Sequence, residues 1–186
     1  MGTRFSYHGA TAAYGGGGDK FFNLANLLKK CGYDVCILKD SDCADNKEQY
    51  SKAKGNRIPI FEWEAGNAIE EQIFSDVSIS CINELIELVI DTKSFDHVKS
   101  KLKDCLAPIS IFFDGDAESV VITEHISHEE RKTLGKVAKH KKSEWFKRIG
   151  LGEQVGDIIF SHYNDVSKDS RLVQIIEGIQ DWVSAQ

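Results

Sequence analysis

Apolar positions along the first third of the chain fall alternately into short blocks and helically spaced stripes, which predicts strand and helix in turn. Residues 10–14 form a short apolar block that Gly15, Gly16, Gly17 and Gly18 interrupt, and they are predicted as a buried strand. Leu24, Leu27, Leu28 and Cys31 recur at helical spacing within residues 19–31, and Gly32 is placed to end that helix. Residues 35–38 are continuously apolar, the pattern of a strand covered on both faces. A polar loop over 40–45 leads into a polar helix over 47–54, ended by Gly55. A strand over 57–63 follows, whose Pro59 points to a sheet edge. The order β-α-β-α-β predicts an α/β fold: a small, mostly parallel sheet flanked by helices, with 10–14, 35–38 and 58–61 as neighbouring parallel strands.

Beyond about residue 74 the period becomes helical. Residues 79–90 and 95–106 read as apolar helices, and Ser127-x-x-Glu130 is a capping box that opens a third. Ser143 is placed to cap a short helix through Trp145 and Phe146, and 153–163 and 172–183 read as two more helices. Residues 109–113 fit a strand or a helical turn equally. The expected division is a sheet-containing domain over 1–76 and a mainly helical extension over 77–186, with no internal repeat.

Composition narrows the class. With 41% hydrophobic and 28% charged residues the 186-residue chain has the make-up of an ordinary globular protein. Its apolar runs are too short and too often broken by charge to span a bilayer, and residues 1–8 lack the apolar core of a signal peptide, so a cytoplasmic protein without membrane contact is expected. Five scattered cysteines without a C-x-x-C pair argue for reduced thiols rather than a zinc site, and Cys31 and Cys36 are expected in the core. The net charge of −6 argues against a non-specific DNA coat. The charge is unevenly placed, however. Arg131, Lys132, Lys136, Lys139, Lys141, Lys142, Lys147 and Arg148 crowd one segment, and Asp40, Asp42 and Asp45 another. An acidic cation-binding cluster with a basic strip suits a metal-dependent enzyme acting on a polyanion; two solvated faces give the same pattern.

Asp40-Ser41-Asp42 directly follows the apolar run 35–38. The carboxyl ends of strands in an open parallel sheet form the ligand crevice, and two carboxylates there can share a hard divalent cation. Beside a phosphodiester that cation would polarise the phosphoryl oxygen and activate a water. The same residues also suit a polar turn. The glycines through Gly17 and Gly18, with Lys20 beyond them, offer a helix N-terminus to a phosphate, or simply a tight turn. Asn67-x-x-Glu70 is a capping box, which accounts for Glu70 structurally; Glu70 and Glu71 are also candidate ligands. Lys141 and Lys142 could stabilise charge on a phosphate, or form a solvated face, and His140 is a candidate general acid or base.

Taken in order, Gly15–Gly18, Gly32-Tyr33, the run 35–38, Asp40-Ser41-Asp42, the segment 61–63 and Ala68-Ile69-Glu70-Glu71 resemble the Toprim domain of OLD-family endonucleases, nucleases fused behind an ABC-type ATPase domain. Lys141-Lys142-Ser143-Glu144-Trp145-Phe146-Lys147, with Gly152-Glu153 and Gly156, resembles that family's C-terminal helical region. The resemblance implies a Mg²⁺- or Mn²⁺-dependent nuclease acting on DNA. Asp40 and Asp42 would be catalytic metal ligands, Glu70 and Glu71 further metal ligands, and Lys142 the catalytic lysine, with Lys141 and Lys147 as rivals. An ATPase domain, in the same or a partner chain, is the implied partner, and a homodimer is left open. One departure stands out. Toprim domains begin with a strand and a glutamate-bearing turn, yet residues 1–39 hold no glutamate. The expectation is therefore a nuclease portion lacking its N-terminal Toprim segment. A non-catalytic docking or dimerisation module, or a phosphate- or nucleotide-binding α/β domain, stands as the alternative.

Overall fold

The computed structural model describes residues 8–16, 20–41, 46–141, 143, 145–146 and 150–185. The fold is α/β and mainly helical, with one parallel and one antiparallel pair of strands among the described residues. The chain divides into two compact units: 1–67 with 173–186, and 68–172.

The first unit holds α1 (Lys20–Lys30), β1 (Ile37–Lys39), α2 (Lys47–Gly55), β2 (Ile60–Glu62) and most of α8 (Arg171–Ser184). β1 and β2 pair in parallel, Ile37 opposite Ile60 and Lys39 opposite Glu62, as the β-α-β order predicts. Residues 10–14 correct the expectation: they form no strand, and Tyr14 is 90% exposed. Alanines offer little area to bury, so this block lacked the driving force that the larger residues of β1 and β2 supply.

The face α1 buries also differs from the predicted one. Phe22, Ala25 and Asn26 turn inward, whereas Leu27 is 58% exposed and Cys31 is exposed. Both sets have helical spacing, and the larger ring of Phe22 takes the core with Ile37, Ala53 and Ile58. Asn26 is satisfied there: its Nδ2 donates to Phe22 O (2.8 Å) and its Oδ1 accepts from Asn56 Nδ2 (2.5 Å). Gly32 ends α1 as predicted. At φ +90° it lets its own N–H reach Lys29 O (3.1 Å) and the Tyr33 N–H reach Leu28 O (3.2 Å), a Schellman closure. At the end of α2 the left-handed residue is Arg57 (φ +56°), not Gly55, which is still helical. β1 is covered on one face only, since Leu38 is 48% exposed between buried Ile37 and Lys39. α8 lies against β2: a Cβ on Gly178 would stand 2.9 Å from the Phe61 ring.

The second unit holds α3 (Ile69–Asp76), α4 (Ile79–Lys93), α5 (Phe95–Lys103), β3 (Ile111–Asp114), β4 (Ser119–Ile122), α6 (His128–Lys139) and α7 (Leu151–Ser161). α3, expected with the first domain, packs here against α6. The Ser127–Glu130 capping box forms as read, with Ser127 N–H donating to Glu130 Oε2 at 2.9 Å. Residues 111–114 resolve as a strand paired antiparallel with β4. Trp145 and Phe146 lie in a bend rather than a helix, yet Trp145 is fully buried and its ring meets Phe74 edge-on at 6.3 Å. Among the described residues no helix is long and apolar enough to cross a membrane.

Candidate functional site

Asp40 leaves β1 at its carboxyl end and is exposed. Ser41 behind it is fixed firmly. Its N–H donates to Asn67 O (2.9 Å), its O accepts from Gly66 N–H (3.3 Å), and its hydroxyl donates to Glu64 O. Gly66, at φ +87°, makes the turn that brings these groups together. The start of the acidic loop is thus tied to the turn after β2, and the parallel pair presents its carboxyl ends as one edge. Asp42, the second carboxylate of the motif, lies outside the described residues, as do Gly17 and Gly18.

Directly below Asp40 is a pairing the hydropathy pattern did not reveal. Lys39 Nζ lies 2.7 Å from Glu62 Oε1, with the lysine side chain 5% exposed. Parallel register places these residues opposite each other, and a buried ammonium needs such a partner. The signal available in the sequence was the charge that closes each of two short strands.

Glu70 and Glu71 open α3, but one residue later than the Asn67-x-x-Glu70 spacing predicts. Asn67 is held by Ser41, so Ala68 becomes the N-cap, and Glu71 rather than Glu70 folds back to accept its N–H at 2.9 Å. The same carboxylate receives Lys139 Nζ at 2.6 Å, and its side chain is only 4% exposed. Glu71 is therefore already engaged within the protein. Glu70 is half-buried beside it.

The basic strip likewise has structural members. Arg131 Nη1 donates to Phe74 O (3.2 Å) and Val77 O (2.7 Å), satisfying carbonyls at the C-terminal end of α3, while Lys139 meets Glu71 at the N-terminal end. The two helices run antiparallel, so one basic helix serves both ends of α3. Lys141 is exposed just past α6, and Lys20 is exposed at the first residue of α1. Lys142 and Lys147 lie outside the described residues. Among the described residues no three His, Cys, Asp or Glu side chains gather as a cation site.

Cysteine chemistry is disfavoured at the two most perturbed thiols. Burial, reinforced by Glu84 and Asp165, pushes Cys81 up to about 12, and burial with Asp104 and Glu130 pushes Cys105 to about 11. Both stay protonated at neutral pH, whereas a nucleophile or metal ligand needs the thiolate. A second polar centre escaped the sequence reading. His162 Nε2 lies 2.7 Å from Glu84 and its Nδ1 3.4 Å from Asp165. The hydrogen bond with Glu84 raises the imidazole above its ordinary range, against partial desolvation and with help from Asp165. Beside it Glu84, Glu87 and Asp91 border a shallow groove of about 400 Å³ floored by Leu88 and Ile158. Compared with known proteins, the chain matches no family model, no curated protein and no solved structure.

Proposed function

We propose that this chain is a portion of a divalent-metal-dependent DNA endonuclease of the OLD type, with the cation held at the Asp40–Asp42 loop. The observation that supports the reading is the placement of Asp40: exposed at the carboxyl end of a parallel β-α-β unit and braced by Ser41. Carboxylates at that edge suit Mg²⁺ or Mn²⁺, which take oxygen ligands and retain several waters, so few protein groups suffice. The cation would polarise a phosphodiester and supply the attacking hydroxide, while Asp40 orients it. Glu71 is engaged by Ala68 and Lys139, so Asp42 is the ligand proposed beside Asp40, with Glu70 as the next candidate.

The engagement of Glu71 with Ala68 and Lys139 also favours a second reading, a non-catalytic docking module. With a glutamate-bearing N-terminal Toprim segment restored to the chain, nicking of a supercoiled plasmid in Mn²⁺ separates the two. The nuclease reading expects nicking that chelator abolishes and that Asp40→Asn slows by about a hundredfold, the upper range seen even for outer-shell partners of a metal. Equal nicking by variant and wild type overturns the assignment of Asp40, and no nicking by either supports the docking module.

A further inference from the structure

The β3–β4 hairpin leaves one of its edges open. Thr123 N–H donates to Ser110 O at 3.0 Å, in register with Ile111 opposite Ile122. Antiparallel pairs alternate between bonded and non-bonded positions, so Ser110–Thr123, Phe112–Val121 and Asp114–Ser119 share the ladder. Ile111 and Phe113 on β3, and Val120 and Ile122 on β4, therefore turn their N–H and C=O groups to the two outer edges. On the β4 edge the Asn83 amide takes the place of a strand. Its Oδ1 accepts the Ile122 N–H at 2.7 Å and its Nδ2 donates to Ile122 O at 3.2 Å. On the β3 edge, among the described residues, the outward groups of Ile111 and Phe113 meet no partner, and the sheet ends there.

The edge strand is only four residues long and ends in Asp114, but its outer face is apolar. That face carries Phe112, 60% exposed, next to Val121, 46% exposed. The inner side differs in charge. Lys99 and Lys103 of α5 each hold an ammonium 5.8 Å from the Phe113 ring centre. The acidic groups of the hairpin lie at its far tip, where Asp114 accepts the N–H groups of Asp116 and Ala117.

We propose that the β3 edge binds an extended acidic peptide segment of a partner protein, which adds a third strand through the outward N–H and C=O groups of Ile111 and Phe113. Alternation of side chains along the added strand fixes its chemistry. Apolar residues extend the Phe112–Val121 face, and the intervening residues, facing Lys99 and Lys103, are Glu or Asp. A second copy of this chain fits less well, because its own β3 would bring a second pair of lysines rather than carboxylates.

The probe is a fluorescent peptide alternating valine and glutamate, with one alternating valine and lysine as control, titrated against the full chain by anisotropy. The acidic peptide should bind, the basic one should not, and the Ile111 and Phe113 amides should become protected from hydrogen exchange. Lys99→Glu with Lys103→Glu should weaken binding about tenfold or more, as two partly exposed ion pairs reverse sign. Phe112→Glu, at an exposed position, should abolish binding without shifting the melting midpoint. Equal binding of both peptides, binding that leaves those two amides unprotected, or no binding at millimolar peptide overturns the proposal. So does a dimer in sedimentation that Phe112→Glu dissociates, since the occupant is then a second copy.

Discussion

At the scale of single residues, carboxylates hold the fold together in different ways, Glu71, a candidate metal ligand in the sequence, among them. Glu71 caps a helix and pairs with Lys139; Glu62 neutralises Lys39; Glu130 closes a capping box. Glu130 is the clearest case. Burial opposes its ionisation, but the Ser127 hydroxyl and the N–H groups of Ser127 and Ala107 outweigh that and hold it at about 2. A carboxyl lowered from 4.5 stabilises the folded protein above that ordinary value, and the contribution fades as pH falls toward 2. Glu130→Gln should therefore lower the melting midpoint at neutral pH and flatten its decline between pH 5 and pH 2. Parallel wild-type and variant curves across that window would contradict the assignment.

At the scale of elements, the helices were the most legible part of the chain. Their long apolar stripes and the Ser127 box survive any tertiary context, and 79–90, 153–163 and 172–183 match α4, α7 and α8 within a few residues. Strands are harder because three or four residues carry little pattern: 35–38 and 58–61 read as strands, and so does 10–14, which has apolar character without bulk. Boundaries shifted where a tertiary bond overrode a local one, as at Asn67, claimed by Ser41 before it could cap α3. Nothing in the sequence announced the closest helix contact. A Cβ on Gly135 of α6 would lie 2.4 Å from Glu71 Cα and 3.0 Å from Glu70 O, both backbone atoms of α3 that cannot yield. Gly135→Ala should destabilise the protein by about 2–3 kcal/mol, the cost of overpacking, although alanine is the better helix former. Chemical denaturation measures it, and a variant as stable as the wild type would show that α3 and α6 stand further apart.

At the scale of the whole molecule, the candidate site was legible in part. The acidic loop following an apolar run could be read because parallel pairing places such loops at one edge, and Asp40 does emerge there. The basic strip could not be sorted by sequence, since Arg131 and Lys139 look like Lys141 until α3 is seen lying between them. The central claim is that the Asp40–Asp42 loop holds a divalent cation. Carboxylates crowded in one loop repel, so a bound cation should stabilise the fold that gathers them. The most direct measurement is the melting midpoint with and without Mg²⁺ or Mn²⁺ at about millimolar levels, the range for cation sites with few protein ligands. A rise in the wild type that Asp40→Asn abolishes is the predicted result, and an identical response in both proteins would contradict it.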